Sequence, residues 1–283
     1  MDLGVAVLPK FLKDNTDRNR TSPFAFTGNK FEFRMPGSDV NLADCNMILN
    51  TAMAKGLKDF ADAMGDVEGA EFEKKAIKYI KKTLTDHQRI IFNGNGYSEE
   101  WEEEAKRRGL ANNRNTAEAL PCYVSQKAID LFAEFGVLTE AEVRSRYEVK
   151  LEKYNKLLNI EARVMIRMAR RTYLPAISDY MAELASNITT VKAALSGADM
   201  TEHEKLLNII LAGFNRAADC VRTLVKLHDA TEAIEDPQEQ ANAYAEKVIP
   251  AMEALRKEID DLECVVERDF WPVPTYNDML FYA

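Results

Sequence analysis

From Thr139 onward, apolar residues recur every three or four positions, and this spacing constrains the fold more than any other feature of the chain. Such spacing places the apolar side chains on one face of a helix. The runs are Leu158–Ala169, Ile177–Leu195, Leu207–Leu224 and Val248–Val266. Short polar turns separate the later runs, at Ser196–Met200 and Ala233–Asp236. Long helices joined by short turns predict an antiparallel helical bundle.

The predicted helices have recognisable starts. Thr139 with Glu142 and Thr201 with Glu204 have the spacing of capping boxes, and Asp236-Pro237 with Glu239 is a third start signal. Pro175 lies inside the first long run, where its ring and its missing N–H should interrupt the helix.

The N-terminal third has a different texture. We predict strands at Leu3–Leu8 and Lys30–Met35, separated by a polar loop over Lys10–Gly28. Helices are predicted from Asn41 or Asp44 to about Met64, and over Phe72–Ile91. The predicted fold is therefore mainly α, with two N-terminal β-strands followed by a long antiparallel helical bundle.

The second predicted strand alternates charged and aromatic residues. Lys30, Glu32 and Arg34 alternate with Phe31 and Phe33. Residues two apart share one face of a strand, so the three charges should project together while the phenylalanines face the core. This face could anchor a metal-bound phosphate, although one carboxylate is too few to hold a divalent metal. On the residues alone, a solvated face with ion pairs is the commoner explanation of such a strand.

Composition excludes several classes of protein. The formal net charge of −9 argues against general binding to nucleic acid or to an anionic membrane. No apolar run approaches the roughly 20 residues that span a bilayer, and no signal-peptide pattern opens the chain. The four cysteines are widely separated and form no CxxC pair, which is typical of reduced thiols in a cytoplasmic protein.

Other polar groups are best explained structurally. We predict that His228 is a bundle histidine and that His87 and His203 lie on helix surfaces. The acidic run from Glu99 to Glu104 should form a solvated face of a short helix that begins after Ser98 and is stopped by Gly109. The turn cluster Asn93–Gly96 lacks the strand and helix context of a phosphate loop.

The motifs resemble those of a known family. Asn19-Arg20-Thr21-Ser22, followed by Lys30-Phe31-Glu32-Phe33-Arg34, is similar to the late catalytic segment of glutamine synthetases. Three further segments resemble the type III branch in particular. They are Arg89–Tyr97, Leu120-Pro121-Cys122 and Trp271–Tyr276.

This resemblance implies ATP-dependent ligation of ammonia to glutamate through γ-glutamyl phosphate, with Mg²⁺ or Mn²⁺ as cofactor. It implies that Glu32 is a metal ligand, that Arg34 contacts the transferring phosphate, and that Arg20 binds the substrate carboxylate or phosphate. Lys30 would lie on the nucleotide side. Other branches carry a second arginine where this chain has Ala25.

The resemblance also implies a ring-shaped homo-oligomer in the full-length enzyme. Residues 1–91 would be the C-terminal part of the catalytic domain, with the two N-terminal β-strands coming from a truncated catalytic sheet. Residues 92–283 would be a C-terminal helical bundle region with an aromatic tail. The family's other metal ligands precede the matched segment, so we expect the isolated chain to be inactive. Two alternatives stay open: a non-catalytic assembly or interaction module, and, without the resemblance, a helical-bundle adaptor.

Overall fold

The computed structural model describes residues 24–26, 30–34, 41–92 and 94–280, and for residues 24–26 it describes the backbone alone. The predicted strand Leu3–Leu8 and the candidate residue Arg20 lie outside the described residues. Contacts divide the chain into two compact units. The first runs to Arg114 and adds Gln126–Glu140, and the second contains Asn115–Ser125 and everything from Ala141 onward. The boundary predicted after Ile91 stays a prediction.

The first unit begins with a short antiparallel hairpin. Strand β1 (Phe24–Phe26) pairs with strand β2 (Phe31–Phe33), so that Ala25 lies opposite Glu32. The strand at Phe31–Phe33 falls within the predicted one. The prediction of an uninterrupted loop over Lys10–Gly28 is wrong at β1, because three residues between polar turns are too short to show an alternating pattern.

The helices of the first unit follow the sequence pattern closely. They are α1 (Ala43–Met64), α2 (Gly69–Asp86), α3 (Glu99–Arg107) and, after the second unit's first segment, α5 (Gln126–Glu134). Helix α2 ends earlier than predicted, and Gln88–Ile90 forms a separate 3₁₀ turn. Ser98 caps α3 by accepting the Trp101 N–H, and Gly109 follows it with a φ of 69°. Both ends of α3 therefore confirm the sequence prediction.

The second unit is the predicted bundle. Its helices are α4 (Thr116–Ala119), α6 (Glu140–Met168), α7 (Leu174–Ala194), α8 (Thr201–Glu232), α9 (Pro237–Ala243), α10 (Ile249–Glu263) and α11 (Tyr276–Leu280). Helix α8 packs against both α7 and α10. The predicted seams are buried in their middle, where Ile177, Ile210, Leu224 and Leu255 are each 0% exposed. Leu195, the predicted end of one seam, lies just beyond α7 and is 64% exposed. The bundle prediction is confirmed.

A glycine brings α8 and α10 close together. A Cβ added at Gly213 would lie 2.8 Å from Cδ2 of Leu262. That separation is inside van der Waals contact, so any larger residue would displace the leucine. The seam between these helices thus depends on one residue without a side chain.

Two π-helical turns interrupt the bundle helices, each just before a proline. One spans Ala169–Tyr173 and precedes Pro175, and the other spans Tyr244–Val248 and precedes Pro250. Proline cannot donate to the carbonyl four residues earlier, and its ring would clash with that carbonyl. A widened turn accommodates both problems. The interruption expected at Pro175 is present, but it takes the form of a π turn between α6 and α7.

The helix starts are mostly as predicted. Helix α6 begins directly after Thr139, and Asp236 caps α9, its Oδ1 accepting the Glu239 N–H at 2.8 Å. The Thr201 capping box is wrong, because Thr201 is already helical. The side chain of Asp199 accepts the Thr201 N–H at 2.9 Å instead. A carboxylate accepts this bond better than a hydroxyl does at the positive end of a helix.

The aromatic tail packs on its own bundle. Trp271 is 7% exposed and belongs to the bundle core. Its ring lies 5.3 Å from that of Tyr173, and the Phe270 ring lies 5.3 Å from that of Tyr180. The aromatic tail therefore packs against the π turn that precedes Pro175.

Candidate functional site

The candidate site is the charged face of β2. The Nζ of Lys30 lies 3.3 Å from Oε1 of Glu32, and the Nη2 of Arg34 lies 3.5 Å from its Oε2. The Arg34 side chain is 16% exposed and that of Glu32 is 39% exposed, whereas Lys30 extends into solvent. The strand therefore brings the three predicted charged residues together, with the carboxylate between two cations.

The opposite face of β2 differs from the prediction. Phe31 and Phe33 were expected to face the core, but they are 55% and 47% exposed. A two-stranded ribbon has no second layer of its own to cover its apolar face. This face needs protein from outside the described residues to bury it.

The described residues do not by themselves fit a divalent metal at Glu32. Mg²⁺ takes near-octahedral oxygen ligands, and a single carboxylate provides too few of them. Within the described part of the chain, the one group of three or more metal-ligating side chains is His228, Asp229 and Glu232, far along the sequence from β2. Glu32 can be at most one member of a larger ligand set.

The register of the hairpin gives Ala25 a position directly opposite Glu32. Directly opposed residues of an antiparallel pair have their Cβ atoms about 4.5–5.5 Å apart. Position 25, which carries an arginine in other branches of the resembled family, is therefore paired with Glu32 along the hairpin. In this chain Lys30 and Arg34, two residues before and after Glu32, lie beside its carboxylate.

An arginine secures the segment that follows α2. The Nη1 of Arg108 donates to the carbonyl oxygens of Arg89 and Ile91, at 3.1 and 2.8 Å. Its Nε donates to Glu104, which also pairs with Arg107, and these hydrogen bonds lower the pKa of Glu104 to about 2. Glu104, the last glutamate of the predicted solvated run, is therefore held in ion pairs with Arg107 and Arg108 and is not freely solvated.

Stacked aromatic rings support the same segment. The Phe92 and Trp101 rings lie 4.1 Å apart and nearly parallel. A Cβ added at Gly94 would lie 2.5 Å from the Phe92 ring, so the turn needs glycine there. The Arg89–Tyr97 motif therefore acts, in its described residues, as a packed connection to α3.

The histidines lie as predicted. His87 and His203 are exposed, and His228 is 3% exposed within the bundle. The metal-ligating group at His228 was not found from the sequence as a cluster, although Asp229 and Glu232 follow it at helical spacing. No helix of the described residues is both long enough and apolar enough to pass through a membrane.

Known proteins with similar sequences are glutamine synthetases. The sequence model of the glutamine synthetase C-terminal domain matches residues 75–192. The chain is 37% identical over 286 residues to the type-3 glutamine synthetase of Dictyostelium discoideum, and the match covers 99% of the chain. It is 35% identical over 289 residues to a glutamine synthetase of Bacteroides fragilis, again over 99% of its length. Over almost its whole length, the chain is therefore similar to glutamine synthetases.

The Dictyostelium relative is named a type-3 enzyme, and the chain corresponds to a C-terminal portion of these relatives. A third relative, a glutamine synthetase of Butyrivibrio fibrisolvens, is 36% identical over 96% of the chain. The chain spans 39% of the length of each of these relatives. The resemblance inferred from the motifs is confirmed.

Proposed function

We propose that this chain supplies one edge of a composite glutamine synthetase active site, whose remaining ligands come from sequence outside it. The observation that carries the proposal is the position of Glu32, with Lys30 and Arg34 at 3.3 and 3.5 Å, in a chain that is similar to glutamine synthetases. Such a charge pattern suits phosphoryl transfer, which depends on positioning and on neutralising charge.

Each charged residue has a proposed role. Glu32 contributes one ligand to a Mg²⁺ or Mn²⁺ ion, and Arg34 contacts the phosphoryl group that passes from ATP to glutamate. Arg20 binds the substrate carboxylate or phosphate, since a guanidinium can hold two oxyanion oxygens at once. Lys30 lies on the nucleotide side, where its side chain is 65% exposed to solvent.

The proposal includes the reaction and setting of the whole enzyme. ATP phosphorylates the γ-carboxylate of glutamate, and ammonia then displaces phosphate to give glutamine. We place the enzyme in the cytoplasm and propose a ring-shaped homo-oligomer, with residues 1–91 completing a catalytic domain and residues 92–283 forming the helical region. The exposed apolar face of β2 supports such assembly, because an apolar surface of this kind is normally covered.

A second candidate function is that of a non-catalytic assembly module. The observation that favours it is the self-contained core of the second unit, where the aromatic tail closes over helices of the same chain. The two candidates differ in whether the charged face of β2 takes part in catalysis.

A chimera separates them. The matching C-terminal portion of the Bacteroides fragilis relative is replaced by this chain, and ATP-dependent glutamine formation is measured with Mg²⁺ or Mn²⁺. We expect turnover by the chimera and none by the chain alone, because only the chimera contains a complete ligand set.

The unaltered relative serves as the positive control, and circular dichroism shows that each protein is folded. A folded, assembled chimera without turnover would favour the assembly module. Turnover by the chain alone would contradict the composite site.

A further inference from the structure

A cluster of arginines on the bundle surrounds an open cavity of about 700 Å³ that the proposed active site does not use. Arg163 and Arg167 lie on α6, and Arg170 and Arg171 lie in the π turn that follows it. Helix α8 forms the other wall, with His228. We call this cavity the arginine pocket.

The charges in the arginine pocket favour an anion. All four arginines are exposed, in a chain whose formal net charge is −9. In the described part of the chain, no carboxylate oxygen lies within 4.0 Å of the side-chain nitrogens of Arg167, Arg170 or Arg171. A guanidinium presents several N–H donors in a plane and binds carboxylate or phosphate oxygens bidentately.

Two carboxylates also face the pocket, but one of them is already engaged. The Oε1 of Glu232 accepts from Asn159 at 3.1 Å and lies 3.7 Å from Nη1 of Arg163. Asp229 lies beside His228, with its Oδ1 3.3 Å from the Nδ1 atom. Four guanidinium groups against two carboxylates leave the pocket positive.

His228 gives an independent indication of a ligand. The residue is 3% exposed and lines the pocket, and its Nε2 atom has no hydrogen-bond partner among the described residues. Leaving a buried polar atom unpaired costs on the order of 1–3 kcal/mol, so such an atom calls for a partner. The Nδ1 atom faces Asp229, which also lines the pocket, so the imidazole belongs to the pocket wall.

The four arginines share one wall because of their spacing. Positions 163, 167, 170 and 171 follow the pattern i, i+4, i+7 and i+8, which places their side chains on one face of a helix. The last two lie in the π turn, and all four line the same cavity.

From these observations we infer that the arginine pocket binds a small polyanion with phosphate or carboxylate oxygens. A cavity of about 700 Å³ has the size of a typical small-molecule site. The competing ligand is a metal ion, because the ligand atoms of His228, Asp229 and Glu232 lie within 4.8 Å of one another. The surrounding guanidinium groups repel a cation and favour the anion.

Calorimetry on the 283-residue chain tests the inference. The probes are pyrophosphate and succinate, each titrated in metal-free buffer at physiological ionic strength. We expect saturable one-to-one binding of at least one probe. Binding of pyrophosphate alone would identify a phosphate site, and binding of succinate alone would identify a dicarboxylate site. Binding of both probes would identify a general polyanion site. Binding of neither probe at millimolar concentration would overturn the inference.

Matched variants locate the binding. Arg167→Gln, Arg170→Gln and Arg171→Gln should each weaken binding about tenfold, equivalent to about 1.4 kcal/mol. Arg146→Gln, on the same helix but outside the pocket, should leave the affinity unchanged. Equal weakening by Arg146→Gln would show unspecific attraction and would contradict the inference.

Nuclear magnetic resonance supplies a readout that does not depend on a variant folding. The chain has three histidines, so their imidazole ¹⁵N signals can be followed together. Saturating probe should move the His228 signals and leave those of His87 and His203 in place. An unmoved His228 would place the probe elsewhere. Tight binding of Zn²⁺ alone, abolished by Glu232→Gln in a chain that binds neither anion, would assign the pocket to a cation.

Discussion

Glu32→Gln in the chimera is expected to lower ATP-dependent glutamine formation by on the order of a hundredfold or more. The change keeps the shape of the side chain and removes its charge, so a metal ligand becomes a poor one. Even residues that only support metal ligands cost about 10–100-fold when they are altered, and a ligand should cost more.

The same substitution should have little effect on folding. Glu32 pairs with Lys30 and Arg34 at a partly exposed position, where ion pairs contribute about 0.2–1 kcal/mol. Glu73→Gln, an exposed change on α2, is the matched control and should retain full activity. Near-normal turnover by Glu32→Gln would refute its assignment as a metal ligand.

Trp271→Ala is expected to lower the free energy of unfolding of the chain by about 3–5 kcal/mol, as measured by urea denaturation. The indole is 7% exposed and contacts the ring of Tyr173 in the π turn, so its removal leaves a cavity and breaks an aromatic pair. Trp271→Phe should cost much less. The Nε1 atom has no hydrogen-bond partner in the described structure, so its loss removes no bond.

Met279→Ala provides the control in the same tail. Its side chain is 60% exposed, and truncating it should change the free energy of unfolding by less than about 0.5 kcal/mol. If Trp271→Ala were as stable as the unaltered chain, the aromatic tail would not be part of the bundle core.

The bundle could be predicted because helical periodicity is a local property of the sequence. Residues such as Ile210, Leu224 and Leu255 lie on their seams at the spacing that buries them, and their positions need no knowledge of a partner. A glycine that ends a helix is also a local signal, as Gly109 shows after α3. These features could therefore be predicted from residues that are near one another in the sequence.

Features that depend on longer-range or competing interactions were missed. At the start of α8, the side chain of Asp199 accepts the hydrogen bond that was predicted for Thr201. The capping-box pattern does not show which of two nearby acceptors is used. Phe31 and Phe33 alternate like core residues, yet the described structure contains too little sheet to cover them. Alternation shows which side chains share a face, not whether anything packs against it.

The candidate site was predictable only in part. The spacing of Lys30, Glu32 and Arg34 fixes their common face, and the structure brings their charged groups within 3.5 Å. The arginine pocket was not predictable, because its arginines look like an ordinary solvated helix face. Their convergence with His228 depends on how α8 packs beside this face, which the spacing of the arginines does not reveal.

The central claim, that Glu32 is one ligand of a metal site completed from outside this chain, is tested most directly by Mn²⁺ binding. Electron paramagnetic resonance counts the ions bound tightly by the chimera, by its Glu32→Gln variant and by the chain alone. We predict that the chimera loses one tight site on substitution and that the chain alone has none. An unchanged number of sites in Glu32→Gln, or a tight Mn²⁺ site in the isolated chain, would contradict the account.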